Sequence, residues 1–135
     1  MKIKTSELTG LALDWAVASL HGYTLTSDGI SKLLQRGKEI RLLGSGSASL
    51  SDSPSTNWAQ GGPIIERELL QVTPRFHSAG YTYPKGQWYW AAYVLGPNNM
   101  DENYEQHGPT PLIAAMRCFV ASKLGDEVGV PEELL

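Results

Sequence analysis

"QWYWAAYVL", residues 87–95, is the stretch on which the fold turns. Side chains alternate across a strand, so Trp88, Trp90, Ala92 and Val94 share one face and Tyr89, Ala91, Tyr93 and Leu95 the other. Both faces are apolar or aromatic. The run predicts a central strand covered on both sides, its rings mostly core, with one or two tyrosines lining a pocket.

Helical grammar lies on either side of it. Downstream, the polar segment "GPNNMDENYEQHGPTP" at 96–111 predicts a loop, and Thr110 with Pro111 opens a helix through "PLIAAMRCFVASKLG". Ile113, Met116, Val120 and Leu124 make its buried stripe, and Gly125 ends it. Upstream, 75–84 is turn-rich. "PIIERELLQV" at 63–72 predicts a short helix with Pro63 in the first position and Glu66 and Glu68 in its early turns.

At the start of the chain, "LTGLALDWAVASLHG" at 8–22 reads as a capped helix, with Thr9 as N-cap, Leu8 and Leu13 as a hydrophobic staple and Gly22 past its end. Leu13, Ala16, Val17 and Leu20 form the core stripe; Leu11 and Trp15 project roughly opposite, for a neighbouring element or a subunit interface to cover. Glu7 and Asp14 interrupt the apolar run, so it predicts a folded helix rather than a signal or membrane segment. "SDGISKLLQRG" at 27–37 predicts a short helical turn. "KEIRLL" at 38–43 predicts a strand on the alternation of Ile40 and Leu42.

These elements predict an α+β fold: one compact domain over 1–135, a small, mostly antiparallel sheet and about three helices, with a Gly/Ser-rich flexible loop near 44–55. A net charge of −3 disfavours duplex nucleic acid. The lone cysteine, Cys118, excludes an intramolecular disulfide and reads as a core residue; the cytoplasm is the default compartment.

Catalytic signatures are missing from the sequence. It has no GxSxG elbow, HExxH pair, phosphate loop with its Lys-Ser/Thr ending, or GxGxxG, and His21, His77 and His107 are scattered. No metal site, cofactor or membrane partner is expected. Binding is better supported. "STNWAQGGPIIERE" at 55–68 brings Trp58 beside Gly61 and Gly62 just ahead of the expected helix start, and "HGPTP" at 107–111 opens the last helix in a similar way. Free N–H groups at a helix N-terminus attract anions, glycine lets them approach closely, and loop aromatics can stack on a base. The candidate ligand-binding residues are Thr56, Asn57, Trp58, Gly61, Gly62, Arg67, Arg75, Tyr104 and Thr110, with Arg117 a further candidate phosphate fork.

Three blocks, "KIKTSELTGLALDWAVA", "STNWAQGGPIIERE" and "GPTPLIAAMRCFVASKLGDEV", together resemble the phage NinX family, small proteins of the accessory nin region of lambdoid phages and prophages. The family pattern reads Ser-Thr-Asp-Trp where this chain has Asn57 before Trp58. The resemblance implies a phage protein acting in a bacterial cytoplasm. Joined to the residue reading, it leads to the expectation of a non-enzymatic, homo-oligomeric binder that sequesters a nucleotide-derived host signal. The alternatives are a protein-interaction module and an enzyme acting on such a nucleotide.

Overall fold

The computed structural model describes residues 1–27, 29, 31–43, 51–95 and 102–135. In chain order the elements are β1 (Lys2–Lys4), α1 (Gly10–Leu20), β2 (Thr24–Ser27), β3 (Lys32–Arg36), β4 (Glu39–Leu43), β5 (Ser51–Asp52), α2 (Trp58–Arg67), β6 (Leu70–His77), β7 (Gln87–Leu95), β8 (Glu102–Gly108), α3 (Pro111–Leu124) and β9 (Glu127–Gly129), with single 3-10 turns at Thr5–Glu7 and Glu132–Leu134. The fold is α+β, as the alternation of patterns predicts. Its strands form three small sheets: β1 with β9, β2-β3-β4-β5, and β6-β7-β8, all antiparallel except the short β4–β5 pair. Among the described residues no helix is long and apolar enough to cross a membrane.

β7 is the central strand of its sheet, as expected, but its rings are not mostly core: Trp88 is exposed, Tyr89 and Trp90 are partly covered, and Tyr93 is buried. α3 lies across the face that carries Trp90, Ala92 and Val94, joined by Leu70 and Val72 of β6. α3 itself is buried almost all round, because its other side meets α1 and α2, although Leu124, expected in its buried stripe, is exposed at the helix end. Alanines at 114, 115 and 121 keep it narrow enough for both contacts. At Gly108 an added Cβ would lie 2.8 Å from Ala114 N and 3.0 Å from Ile113 Cγ2, so the end of β8 passes close to the first turn of α3.

Four expectations need correction. The 27–37 segment pairs as strands rather than turning into helix: Lys32–Arg36 aligns with Glu39–Leu43 through a two-residue turn in which Gly37 has φ +62°, and Thr24–Ser27 adds a third strand. The polar 96–111 segment contains β8, whose pairing to β7 outweighs its composition. α2 begins at Trp58 and ends at Arg67, so Pro63 lies inside it and Leu70 to His77 belong to a strand that takes in part of the turn-rich 75–84 stretch. On β4 the inward residues are Arg41 and Leu43, while Ile40 and Leu42 face outward. Of the Gly/Ser tract, 44–50 lie outside the described residues. Its end is packed, with Ser53 and Ser55 both buried.

Trp15 is covered by its neighbours and packs on the core, and Leu11 is exposed. Cys118 is fully buried and its thiol is pushed up to about 12 by desolvation, which makes it a core residue. Arg117 serves the fold. Its Nε donates to Leu8 O and its Nη1 to His107 O, both at 2.7 Å, tying α3 to the chain before α1 and to β8.

Asp14, on the buried side of α1, accepts a hydrogen bond from Ser55 N at 2.9 Å and so anchors the segment that leads into α2. Burial raises its pKa above the usual 3.8, against the lowering effect of the Ser55 hydrogen bonds. The native state therefore holds this proton more tightly than the unfolded chain, and stability falls as pH rises from about 3.8 through the raised value. Asp14→Asn keeps the acceptor and removes the buried charge. It is expected to hold or raise the melting temperature at pH 7 and to flatten that decline, whereas Asp14→Ala, which orphans Ser55 N, should lose about 1–3 kcal/mol. Thermal melts between pH 4 and 7 decide between these outcomes.

Candidate functional site

The sequence-predicted residues do not converge on one place. Asn57 is the N-cap of α2, its side chain accepting from Ala59 N at 2.9 Å. Aspartate caps a helix in the same way, so the position works as a helix end with either residue. Asn57→Asp should leave stability within a few tenths of a kcal/mol and Asn57→Ala should cost about 1 kcal/mol, read by urea unfolding. Because the helix starts there, Gly61 and Gly62 lie within it and offer no free N-terminus. Thr56, Trp58 and Thr110 do meet, in a small groove of about 200 Å³ where α2 and α3 begin. Thr110 Oγ1, however, already accepts from Ile113 N. Arg75 lies on the sheet face away from α3, paired to Glu105 at 2.8 Å. Tyr104 sits in a β-bulge with φ +62°, half exposed.

Arg67 leads elsewhere. It lines a cleft of about 340 Å³ between the end of α1, the β3–β4 hairpin and one face of α2. Each wall has a local cause. α1 ends in a Schellman turn, with Tyr23 N bonded to Ala18 O and Gly22 N to Ser19 O around Gly22 at φ +91°, and this turn sets His21 and Tyr23 at the rim. The tight hairpin brings in Arg36 from β3 and, through the inward register of β4, Arg41. On α2, Gln60, Pro63, Ile64 and Arg67 follow at i, i+3, i+4 and i+7, one stripe of the helix. Val17, Pro54 and Ile64 supply an apolar floor.

Three guanidiniums thus ring the cleft, held with unequal strength. Arg41 is the fixed one: its Nε meets Asp52 Oδ1 at 2.5 Å, both side chains being largely covered. Burial opposes its charge, but Asp52 outweighs that and raises its pKa. Arg36 lies over the Tyr23 ring at 4.5 Å, pairs with Glu39 at 3.1 Å and donates to His21 O. Glu39, drawn below its usual range by the Tyr23 hydroxyl and then by Arg36, keeps its charge. Arg67 pairs with Glu68 at 3.0 Å and stands 2.9 Å from His21 Nε2.

The last contact defines His21. A guanidinium only donates, so Nε2 accepts and the imidazole is neutral. Desolvation and then the Arg67 charge lower its pKa, and its ring stacks on Phe119 at 5.7 Å. Arg36 and Arg67 are each about half exposed, and pairs of that kind are worth about 0–1 kcal/mol. Both arms can exchange their carboxylates for a ligand anion at little cost. Glu68 would keep a cation in doing so, since Lys123 Nζ stands 3.1 Å from its other oxygen. Chemically, the cleft has a fixed Arg41–Asp52 ion pair, two movable cations, a neutral imidazole and an apolar floor, in which Arg36 and Arg67 are the groups able to meet a phosphorylated organic anion.

Of these residues the sequence reading reached only Arg67. The signal was available in the α2 stripe and in the Arg-Gly-Lys-Glu hairpin turn at 36–39, but the helical reading of 27–37 hid it. A family model described as "Bacteriophage P22, NinX" matches residues 4–123. No curated protein matches the chain.

Proposed function

The chain belongs to the phage P22 NinX family, and from that premise we propose that it captures a nucleotide-derived small molecule in the cationic cleft. Held there without turnover, as in a sponge, the ligand would be a host signal withdrawn from the bacterial cytoplasm, with the protein working as a homo-oligomer. The observation that carries this reading is the ring of Arg36, Arg41 and Arg67 around an apolar floor in a space of about 340 Å³, a size that suits a mononucleotide better than a larger dinucleotide. The neutral His21, committed to Arg67, supports holding over acid/base chemistry.

A second reading rests on a separate observation. Trp88 and Phe76 stand exposed against each other at the loop end of the β6–β7 hairpin, ring centroids 5.0 Å apart, an aromatic pair of the kind found in protein interfaces. That pair favours a protein-interaction module.

The test is to incubate the protein with a panel of mononucleotides, cyclic nucleotides and ADP-ribose-type nucleotides, denature it, and analyse what is released. Intact ligand, lost on Arg67→Gln and kept on Trp58→Ala, supports capture in the cleft. Loss on Trp58→Ala instead moves the site to the groove at Thr56 and Thr110. Altered ligand means an enzyme, and no retention across the panel leaves the interaction module as the better account.

A further inference from the structure

The cationic cleft has two unlike ends, and α2 measures the distance between them. Gln60 and Arg67 stand seven residues apart on the stripe that lines it, a rise of about 10 Å along the helix axis. At the Arg67 end the movable cations gather on one residue: Arg67 Nη2 is 2.9 Å from His21 Nε2, and Arg36 Nη1 donates to His21 O at 2.9 Å. At the other end Gln60 Oε1 accepts from Ser53 N at 2.6 Å, which pins the residue after Asp52 against the first turn of α2. Asp52 therefore faces the cleft from the Gln60 end. Val17, Pro63 and Ile64 lie between the two ends and carry no charge.

A nucleotide fits such a cleft lengthwise. Its phosphate belongs with Arg36 and Arg67, the half-exposed forks able to meet an anion. Sugar and ring then lie over the apolar middle, and the group farthest from the phosphate, the exocyclic substituent of the base, arrives at Asp52. The carboxylate there is largely covered and held in place by Arg41. It accepts hydrogen bonds and donates none, and with one oxygen engaged by Arg41 Nε it has further acceptor sites to offer. An exocyclic amine meets it with a donor. A carbonyl oxygen in the same place sets one acceptor against another, where covering side chains keep water from screening the repulsion.

We infer that Asp52 is a specificity-determining residue of the cleft, selecting bases that carry an exocyclic amine, of the adenine or cytosine type, over their oxo counterparts. The inference rests on nucleotide capture in the cleft and adds to it the edge by which the base is read. Arg36 and Arg67 hold any phosphorylated ligand alike; Asp52 tells one base from another.

Calorimetric titration of the full chain with the monophosphates of adenosine, inosine, cytidine and uridine, in open and cyclic forms, tests the inference. Adenosine and inosine differ only at the exocyclic group and the ring nitrogen beside it, and so do cytidine and uridine. The amino member of a pair is expected to bind about tenfold tighter or more, as the loss of one hydrogen bond to a charged group implies. Asp52→Asn, whose carboxamide both donates and accepts, should bring that ratio close to unity. Arg67→Gln should weaken both members alike and leave the ratio standing. Each ratio is taken within one protein, so a loss of folded fraction cancels from it, and the wild-type comparison requires no variant. Equal affinity for the two members, preference for the oxo member, or a ratio that survives Asp52→Asn would overturn the inference and leave capture in the cleft intact. No binding of any of these probes removes capture itself, and the inference with it.

Discussion

Gly61→Ala is expected to destabilise the protein by about 2–3 kcal/mol, while Gly62→Ala, one residue later in the same helix, should stabilise it by up to about 1 kcal/mol. Alanine is the better helix former, so propensity alone gives both substitutions the same sign. Packing separates them. A Cβ at Gly61 would stand 2.5 Å from Pro54 O and 2.6 Å from Leu112 Cδ2. The leucine tip can move, but the carbonyl belongs to a buried segment held through Ser55 N to Asp14. At Gly62 the nearest atom is Trp58 Cε3 at 4.0 Å, an ordinary contact. For a chain of this size the Gly61 change amounts to a fall of roughly 6–12 °C in melting temperature. Calorimetry of the two variants side by side is the measurement. Equal and small shifts would mean that α2 does not pack on α3 and Pro54 as described.

The largest functional effect is expected at Arg67. If the cleft captures a phosphorylated ligand, Arg67→Gln removes one charge-assisted hydrogen-bonding fork, a loss of about 1.5–3 kcal/mol, or roughly ten- to a hundredfold in affinity. The fold should scarcely notice, because Arg67 is half exposed and Glu68 retains Lys123. Arg67→Lys should recover only part of the loss, since an ammonium cannot reproduce the planar fork or its contact with His21 Nε2. Glu68→Gln provides the opposite arm: it frees Arg67 from its resting partner and should tighten capture severalfold. Titration calorimetry with the ligand retained from the panel gives all three numbers. Affinity unchanged by Arg67→Gln would remove the cleft from consideration.

Much of the fold was legible in local pattern. α1 and α3 announce themselves by caps, apolar stripes and terminal glycines, and β7 by aromatics on both faces. The misread elements share one physical feature, a dependence on residues outside the segment whose pattern was read. β8 is polar and becomes a strand because β7 offers it a ladder. "KLLQR" has no alternation of its own and is set by its register with β4. α2 was expected to begin at Pro63 because proline suits a first turn, yet the Asn57 cap and the packing of Gly61 and Ile64 start it earlier and carry proline inside.

The candidate site divides along the same line. Residue chemistry pointed to an anion-binding protein and to the 55–68 stretch as its centre, and Arg67 of that stretch does line the cleft. Its fellow arginines, Arg36 and Arg41, are as visible in the sequence as Arg67 is. Only the hairpin register turns Arg41 inward, and only the Schellman turn after α1 places His21 and Tyr23 opposite. By itself, then, the sequence determined the family, the α+β class, the two best helices and the central strand, because these rest on contacts within a few residues or on long matching blocks. Tertiary structure alone decided which cations meet and which glycine is indispensable. Those properties depend on the spacing between elements, which local propensity does not encode.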